Sequence, residues 1–201
     1  MKANNKERIM RLTGIGLLTA VVIVLQILGS FIRFGPFSIS LVLIPIVVGT
    51  ALYGYAAGGW LGFVFGLAVL LSGDAAAFLA VHIPGTVITV LAKGTLAGVV
   101  SGLVFRLFSK KNVFGATVAA AITCPIVNTG VFLLGCLSFF MPTIREWAVG
   151  FGFGDHVGTY MIVGLVGLNF IAEFVINIVL APAIVQVIRI GQKKYSGGRG
   201  V

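Results

Sequence analysis

The residues best suited to chemistry are polar groups set inside apolar sequence. Lys93 stands within the run 84–106, roughly 14 Å along a helix from its first residues at 1.5 Å per residue. A lysine at that depth in a membrane costs about 2.5–3.5 kcal/mol on insertion scales unless a partner or water meets it. Thr86, Thr89 and Lys93 fall on one helical face. Glu173 is the only acidic residue well inside an apolar run, and Asn169, Glu173 and Asn177 recur at every fourth position as a continuous polar stripe. Asn128 and Thr129 add an amide and a hydroxyl midway along 113–141. Lipid offers such groups no hydrogen bonds, so they should face the interior of a bundle. Two readings follow. Lys93 and Glu173 form a buried ion pair tying two helices, or these groups line a cavity and hold a polar ligand. The readings are compatible, because an ion pair can floor a pocket.

A second set of candidates lies between the apolar runs. His82 and His156 are loop histidines with no third ligand at helical spacing, so they read as polar loop groups or hydrogen-bond donors to a ligand, and no metal site is expected. Trp147, Phe151 and Phe153 can stack on a flat ligand or sit at the lipid headgroup level. Cys124 and Cys136 share one apolar run and read as small packing residues rather than a disulfide or metal pair. No Walker A sequence, Gly-x-Ser-x-Gly elbow or His-Glu-x-x-His pair is present, so neither ATP hydrolysis by that route nor an intramembrane hydrolase is indicated. No inverted repeat of broken helices marks a secondary transporter. No enzymatic constellation is visible and no cofactor is expected.

These groups need elements to hold them. Hydrophobic residues make up 59% of the 201 and charged residues 9%, more apolar side chain than a soluble domain of this size can hide. Lipid is therefore the expected solvent. A bilayer core about 30 Å thick takes roughly 20 helical residues per crossing, which limits the chain to six or seven. Six apolar segments stand out, at about 10–32, 39–54, 58–73, 84–106, 113–141 and 157–189. The first is too long for a signal-peptide core and is followed by no small-residue cleavage site, so it is expected to persist as a helix. The second and third are short and joined by the tight sequence 54–59 (GYAAGG), which predicts a helical hairpin. Pro45 and Pro125 are expected to kink the second and fifth helices. The expected architecture is all-α, a single transmembrane domain of six helices over residues 1–201.

The net charge of +9 does not point to nucleic acid, because its residues cluster between apolar runs. With the N-terminus inside, Lys2, Lys6, Arg8, Arg11, Arg106, Lys110, Lys111, Arg189, Lys193, Lys194 and Arg199 are cytoplasmic, eleven of fourteen. That asymmetry predicts both termini cytoplasmic. The segments left outside, 33–40 (RFGPFSIS), 73–85 (GDAAAFLAVHIPG) and 142–156 (PTIREWAVGFGFGDH), are long, aromatic and glycine-rich. Loops on a rigid scaffold commonly carry binding surfaces, so ligand capture is expected on the outer face.

Small residues mark where helices approach. Gly58, Gly62 and Gly66 recur every four residues, as do Gly94, Gly98 and Gly102, while Gly16 and Ala20 repeat the spacing on the first helix. The first two stripes are expected to pack neighbouring helices together; the third can do that or dock a separate membrane protein.

The stretches 37–66 (FSISLVLIPIVVGTALYGYAAGGWLGFVFG), 93–105 (KGTLAGVVSGLVF), Asn128-Thr129 and 169–182 (NFIAEFVINIVLAP), in that order and spacing, resemble the substrate-binding S components of energy-coupling factor (ECF) transporters. The resemblance implies a bacterial plasma-membrane subunit that binds a vitamin from outside. It also implies partnership with a membrane coupling subunit and two cytoplasmic ATPases. Docking on the coupling subunit would use Gly16 and Ala20, which stand where the family has an Ala-x-x-x-Ala pattern. The family's pocket maps onto Lys93, Asn128, Asn169 and Glu173, with Thr89, His82 and Trp147 as further candidates. Lys93 suits a carboxylate-bearing vitamin such as pantothenate or folate by charge complementarity, unless Glu173 already neutralises it. The competing expectations are a stand-alone permease or channel, which would take up solute without partner subunits, and a membrane scaffold with no small ligand.

Overall fold

The computed structural model describes residues 2–31, 33–34, 37–38 and 41–196. Half of the segment 33–40, and Arg199, thus lie outside the described residues. The chain is helical almost throughout: α1 (Lys2–Ser30), α2 (Leu43–Tyr53), α3 (Tyr55–Leu71), α4 (Ala76–Leu79), α5 (Ile83–Ser109), α6 (Val113–Gly135), α7 (Met141–Gly150), α8 (Val157–Thr159) and α9 (Gly167–Ser196). One departure from the all-α expectation is a minimal antiparallel pairing of β1 (Arg33–Phe34) with β2 (Phe37–Ser38).

Glu7–Ser30, Ile83–Ser109, Val113–Gly150 and Asn169–Val187 are long and apolar enough to cross a membrane. α2 and α3 are shorter apolar helices, about 16 and 25 Å long at 1.5 Å per residue. Side chains on the outside of the bundle are those lipid accepts: Leu17, Leu107, Leu134 and Val179 are each more than 60% exposed. Such a surface would aggregate in water.

Glycine contacts set the closest helix approach. A Cβ on Gly62 would fall on the carbonyl of Gly94, one on Gly94 on the carbonyl of Gly62, and one on Gly98 on the carbonyl of Gly58. The two stripes thus interlock α3 and α5 backbone to backbone, as their spacing predicts. Thr50 Oγ1 donates to the Gly98 carbonyl at 3.0 Å and ties α2 into the same seam.

Three local expectations are corrected. The turn at 54–59 shrinks to Gly54, at φ 89°, because Gly58 and Gly59 are needed inside α3 to meet α5. Pro45 sits in the first turn of α2, where a missing N–H leaves no helical bond unmade, so it does not kink that helix; Pro125 lies inside α6. The segment 142–156 is mostly helix rather than loop. α6 passes through a π-helical turn at Cys136–Phe140 and restarts as α7, with Pro142 in its first turn, a position proline favours.

Two apolar clusters result. The larger joins α1–α3, α5, α6 and Ile184 of α9 around Leu43, Ile46, Leu61 and Phe65. The smaller gathers Phe78, Phe132, Phe140, Ile144, Tyr160 and Leu165. Cys124 and Cys136 are free and buried, one in each cluster, as packing residues.

Candidate functional site

Where the two clusters meet, they leave a cavity with about 90 Å³ of space open to the centre of a water molecule. Phe65 and Val69 line it from the larger cluster, and Phe78, Phe132, Phe140 and Leu165 from the smaller. Phe140 and Leu165 both belong to π-helical turns, at Cys136–Phe140 and Tyr160–Leu165. Such turns shift the phase of the side chains that follow and are common beside functional sites.

Lys93, Thr89, Asn128, Asn169 and Glu173 all line this one cavity, together with Thr86 and Thr129. They come from α5, α6 and α9, which pack side by side. Each lies in the half of its helix away from the basic segments at Arg8–Arg11 and Arg106–Lys111. The cavity therefore sits near the bundle end opposite its positive charge.

The Lys93 ammonium lies over the faces of Phe65 and Phe132, at 5.6 and 5.4 Å from the ring centroids. Away from water such cation–π contacts contribute about 2 kcal/mol, so the rings offset part of the desolvation cost of an intramembrane lysine. Glu173 lines the same cavity. Its backbone carbonyl accepts from Asn177 Nδ2 at 2.8 Å, which spends one polar group of the α9 stripe on the helix itself.

Satisfaction of the other polar groups is uneven. Thr86 Oγ1 donates to the His82 carbonyl at 2.9 Å. Thr89 Oγ1, Asn128 Oδ1 and Asn169 Oδ1 are buried with no hydrogen-bond partner. Buried polar atoms are nearly always paired, and each exception asks for an explanation such as a missing ligand or water. Three along one cavity point to something polar that fills it.

Two sequence candidates lie elsewhere. His82 is exposed and caps α5, its Nδ1 accepting from the Gly85 N–H at 2.9 Å while its ring stacks on Phe139. His82→Ala should lower thermal stability by about 1 kcal/mol, the usual value of a helix cap, and leave ligand affinity within twofold in calorimetry. Trp147 packs edge-on against Phe78 at 5.3 Å, behind the wall rather than in it. Phe151 and Phe153 pack on Tyr160 instead of facing the cavity. Among the described residues no cluster of three or more metal-ligating side chains exists.

Two groups escaped the sequence reading. Gln26 of α1 is 2% exposed, lines the cavity, and donates through Nε2 to Asp74 Oδ2 and to Ser72 Oγ. Asp74 lines the cavity too. The signal was available, since Gln26 is the one amide inside the apolar run 10–32.

Gly16 and Ala20 occupy a different surface. Ala20 is exposed, and a Cβ on Gly16 would meet nothing within 4 Å. Gly16 opens onto a groove between α1 and α3, formed with Arg8, Arg11, Thr19, Ala57 and Trp60. Unlike the stripes of α3 and α5, this one is not used inside the bundle.

The family model for the ECF transporter substrate-specific component matches residues 10–185. No curated protein and no solved structure matches the chain. With a match over most of its length, several membrane-length apolar helices and a polar-lined cavity among them, the chain belongs to the family of ECF transporter substrate-specific components, as a multi-pass membrane protein that binds substrate for transport.

Proposed function

We propose that this subunit captures a carboxylate-bearing vitamin, pantothenate foremost, at the outer face of a bacterial plasma membrane. Residues 1–201 act as a single transmembrane domain of six crossings with both termini cytoplasmic. The coupling subunit and two cytoplasmic ATPases of an ECF module then drive uptake. The observation that carries this reading is the cavity itself: unpartnered Thr89, Asn128 and Asn169 beside the Lys93 ammonium, at the end of the bundle away from its basic segments. By the asymmetry of Lys and Arg that end is the outer one. A carboxylate on Lys93 replaces lost hydration with a charge-assisted hydrogen bond in a low-dielectric site.

The direct test is to purify the protein in detergent, denature it and identify the released small molecule by mass spectrometry. A carboxylate-bearing vitamin is the expected result. Preparations that never carry a small molecule and never co-purify with a coupling subunit would overturn the reading.

Coupling is assigned to the open stripe on α1. Gly16→Leu should leave ligand affinity unchanged, because Gly16 is remote from the cavity and its surroundings are empty. Assembly with the coupling subunit, and uptake in cells that express the full module, should fall at least tenfold, since a leucine blocks close backbone approach. Intact uptake would refute the docking role.

A further inference from the structure

The groove between α1 and α3 shares no lining residue with the cavity, and its chemistry changes along its length. Arg8, Arg11, Ile15 and Thr19 of α1 recur at three- or four-residue spacing and line it from one helical face. From Arg8 to Thr19 is about 16 Å along the helix at 1.5 Å per residue. That is close to the depth of one leaflet, about half of a hydrocarbon core 30 Å thick. The groove's volume is about 660 Å³, inside the range of roughly 300–1,000 Å³ that holds organic ligands.

One end is cationic. Arg8 and Arg11 stand a helical turn apart, about 5–6 Å between Cβ atoms, close enough to share one phosphate. Arg11 is held in place by a 2.8 Å bond from Nη2 to the Tyr53 carbonyl at the end of α2. Among the described residues no carboxylate pairs with either arginine, although Glu7 directly precedes Arg8. Guanidinium groups suit phosphate through their planar, bidentate donors.

Beyond the arginines the groove asks for no hydrogen bond. Thr19 Oγ1 donates to the Ile15 carbonyl at 2.8 Å and accepts from Trp60 Nε1 at 3.2 Å, so the polar groups at that end are satisfied. The lining between is Leu12, Ile15, Gly16, Ala56 and Ala57, apolar and mostly small. A Cβ on Gly16 would meet nothing within 4 Å, so the channel is open there.

We propose that one anionic phospholipid occupies this groove in the free subunit, its phosphate between Arg8 and Arg11 and an acyl chain along Gly16 toward Trp60. Basic pockets between membrane helices recognise anionic headgroups in this way. A soluble anion would leave the apolar channel empty, and a zwitterionic lipid would bring a further cation to a site that already holds two. The inference goes beyond substrate capture. Lipid and coupling subunit would share Gly16, so each excludes the other.

The test uses the full chain in a neutral detergent, with bound lipid counted by native mass spectrometry. The probes are phosphatidylglycerol and phosphatidylcholine with the same acyl chains, and glycerophosphoglycerol, the headgroup without them. Phosphatidylglycerol should bind about thirtyfold more tightly than phosphatidylcholine, the attraction expected of two basic side chains near an anionic headgroup. Arg8→Gln and Arg11→Gln should each reduce that preference about fivefold, and the double variant should abolish it. Gly16→Leu, which puts a side chain into the channel, should weaken both lipids, and glycerophosphoglycerol should not displace them. Arg8→Gln carries the test if Arg11→Gln does not fold, because among the described residues the Arg8 side chain holds no hydrogen bond to lose. Equal binding of the two lipids, or none, overturns the inference and leaves the arginines to the coupling subunit. A preference unchanged in Arg8→Gln, or phosphatidylglycerol binding unchanged in Gly16→Leu, places the lipid elsewhere and overturns it too. Displacement by glycerophosphoglycerol would make this a bare phosphate site, which also overturns it. No coupling subunit is present in these measurements, so their failure leaves substrate capture and docking standing.

Discussion

Leucine in place of Gly62 is expected to leave no correctly folded protein in the membrane. The first atom of any side chain there lands on the backbone carbonyl of Gly94, and backbone cannot move aside as a flexible side chain can. α3 would have to separate from α5 along a seam that also holds Gly58 against Gly98 and Gly66 against Val90. Overpacking a well-formed contact costs about 1–3 kcal/mol, and a backbone clash belongs at or above that limit. Against a total stability of about 5–15 kcal/mol, with the cavity wall hung on the same two helices, the loss is large. Size-exclusion chromatography of a fluorescent fusion should show a single symmetric peak for the wild type and aggregate for Gly62→Leu. Gly16→Leu, made where nothing stands within 4 Å, is the control and should run as wild type. A well-behaved Gly62→Leu protein would refute the tight α3–α5 seam.

Lys93→Met should abolish most ligand affinity while sparing the fold. Methionine matches the lysine stem in length and packs readily against Phe65 and Phe132, where the ammonium now lies. A ligand carboxylate would then be desolvated with no cation to meet it, which costs about 3 kcal/mol, or more than a hundredfold in dissociation constant. Calorimetric titration of pantothenate into both proteins measures this. Unchanged affinity would assign Lys93 to structure rather than recognition.

The two experiments separate what was legible in sequence from what was not. Stripes of small residues and polar groups in apolar runs obey helical period, so Gly62 facing Gly94, and Thr89 sharing a face with Lys93, follow from spacing once both segments are helices. The polar groups that line the cavity were legible for the same reason, since a polar residue in an apolar run has few places to go. His82 and Trp147 do not line the cavity, because their placement depends on neighbours that spacing does not reveal. One depends on the geometry of a helix start, the other on Phe78 arriving edge-on. Gln26 was missed because its value comes from Asp74, forty-eight residues away. The helix at α7 was hidden by a proline and by glycines beyond it that read as loop, and only a π-helical turn makes the passage continuous.

Composition, period and charge distribution thus determined by themselves that this chain lives in lipid as a bundle of apolar helices, which helices carry the polar groups, and which end bears the positive charge. These follow from properties of single segments and their solvent. Tertiary structure alone decided that two apolar clusters leave a gap between them, that the Lys93 ammonium rests on Phe65 and Phe132, and that Thr89, Asn128 and Asn169 are left without partners. Whether a polar atom is satisfied depends on every element packed around it, and no segment carries that information alone.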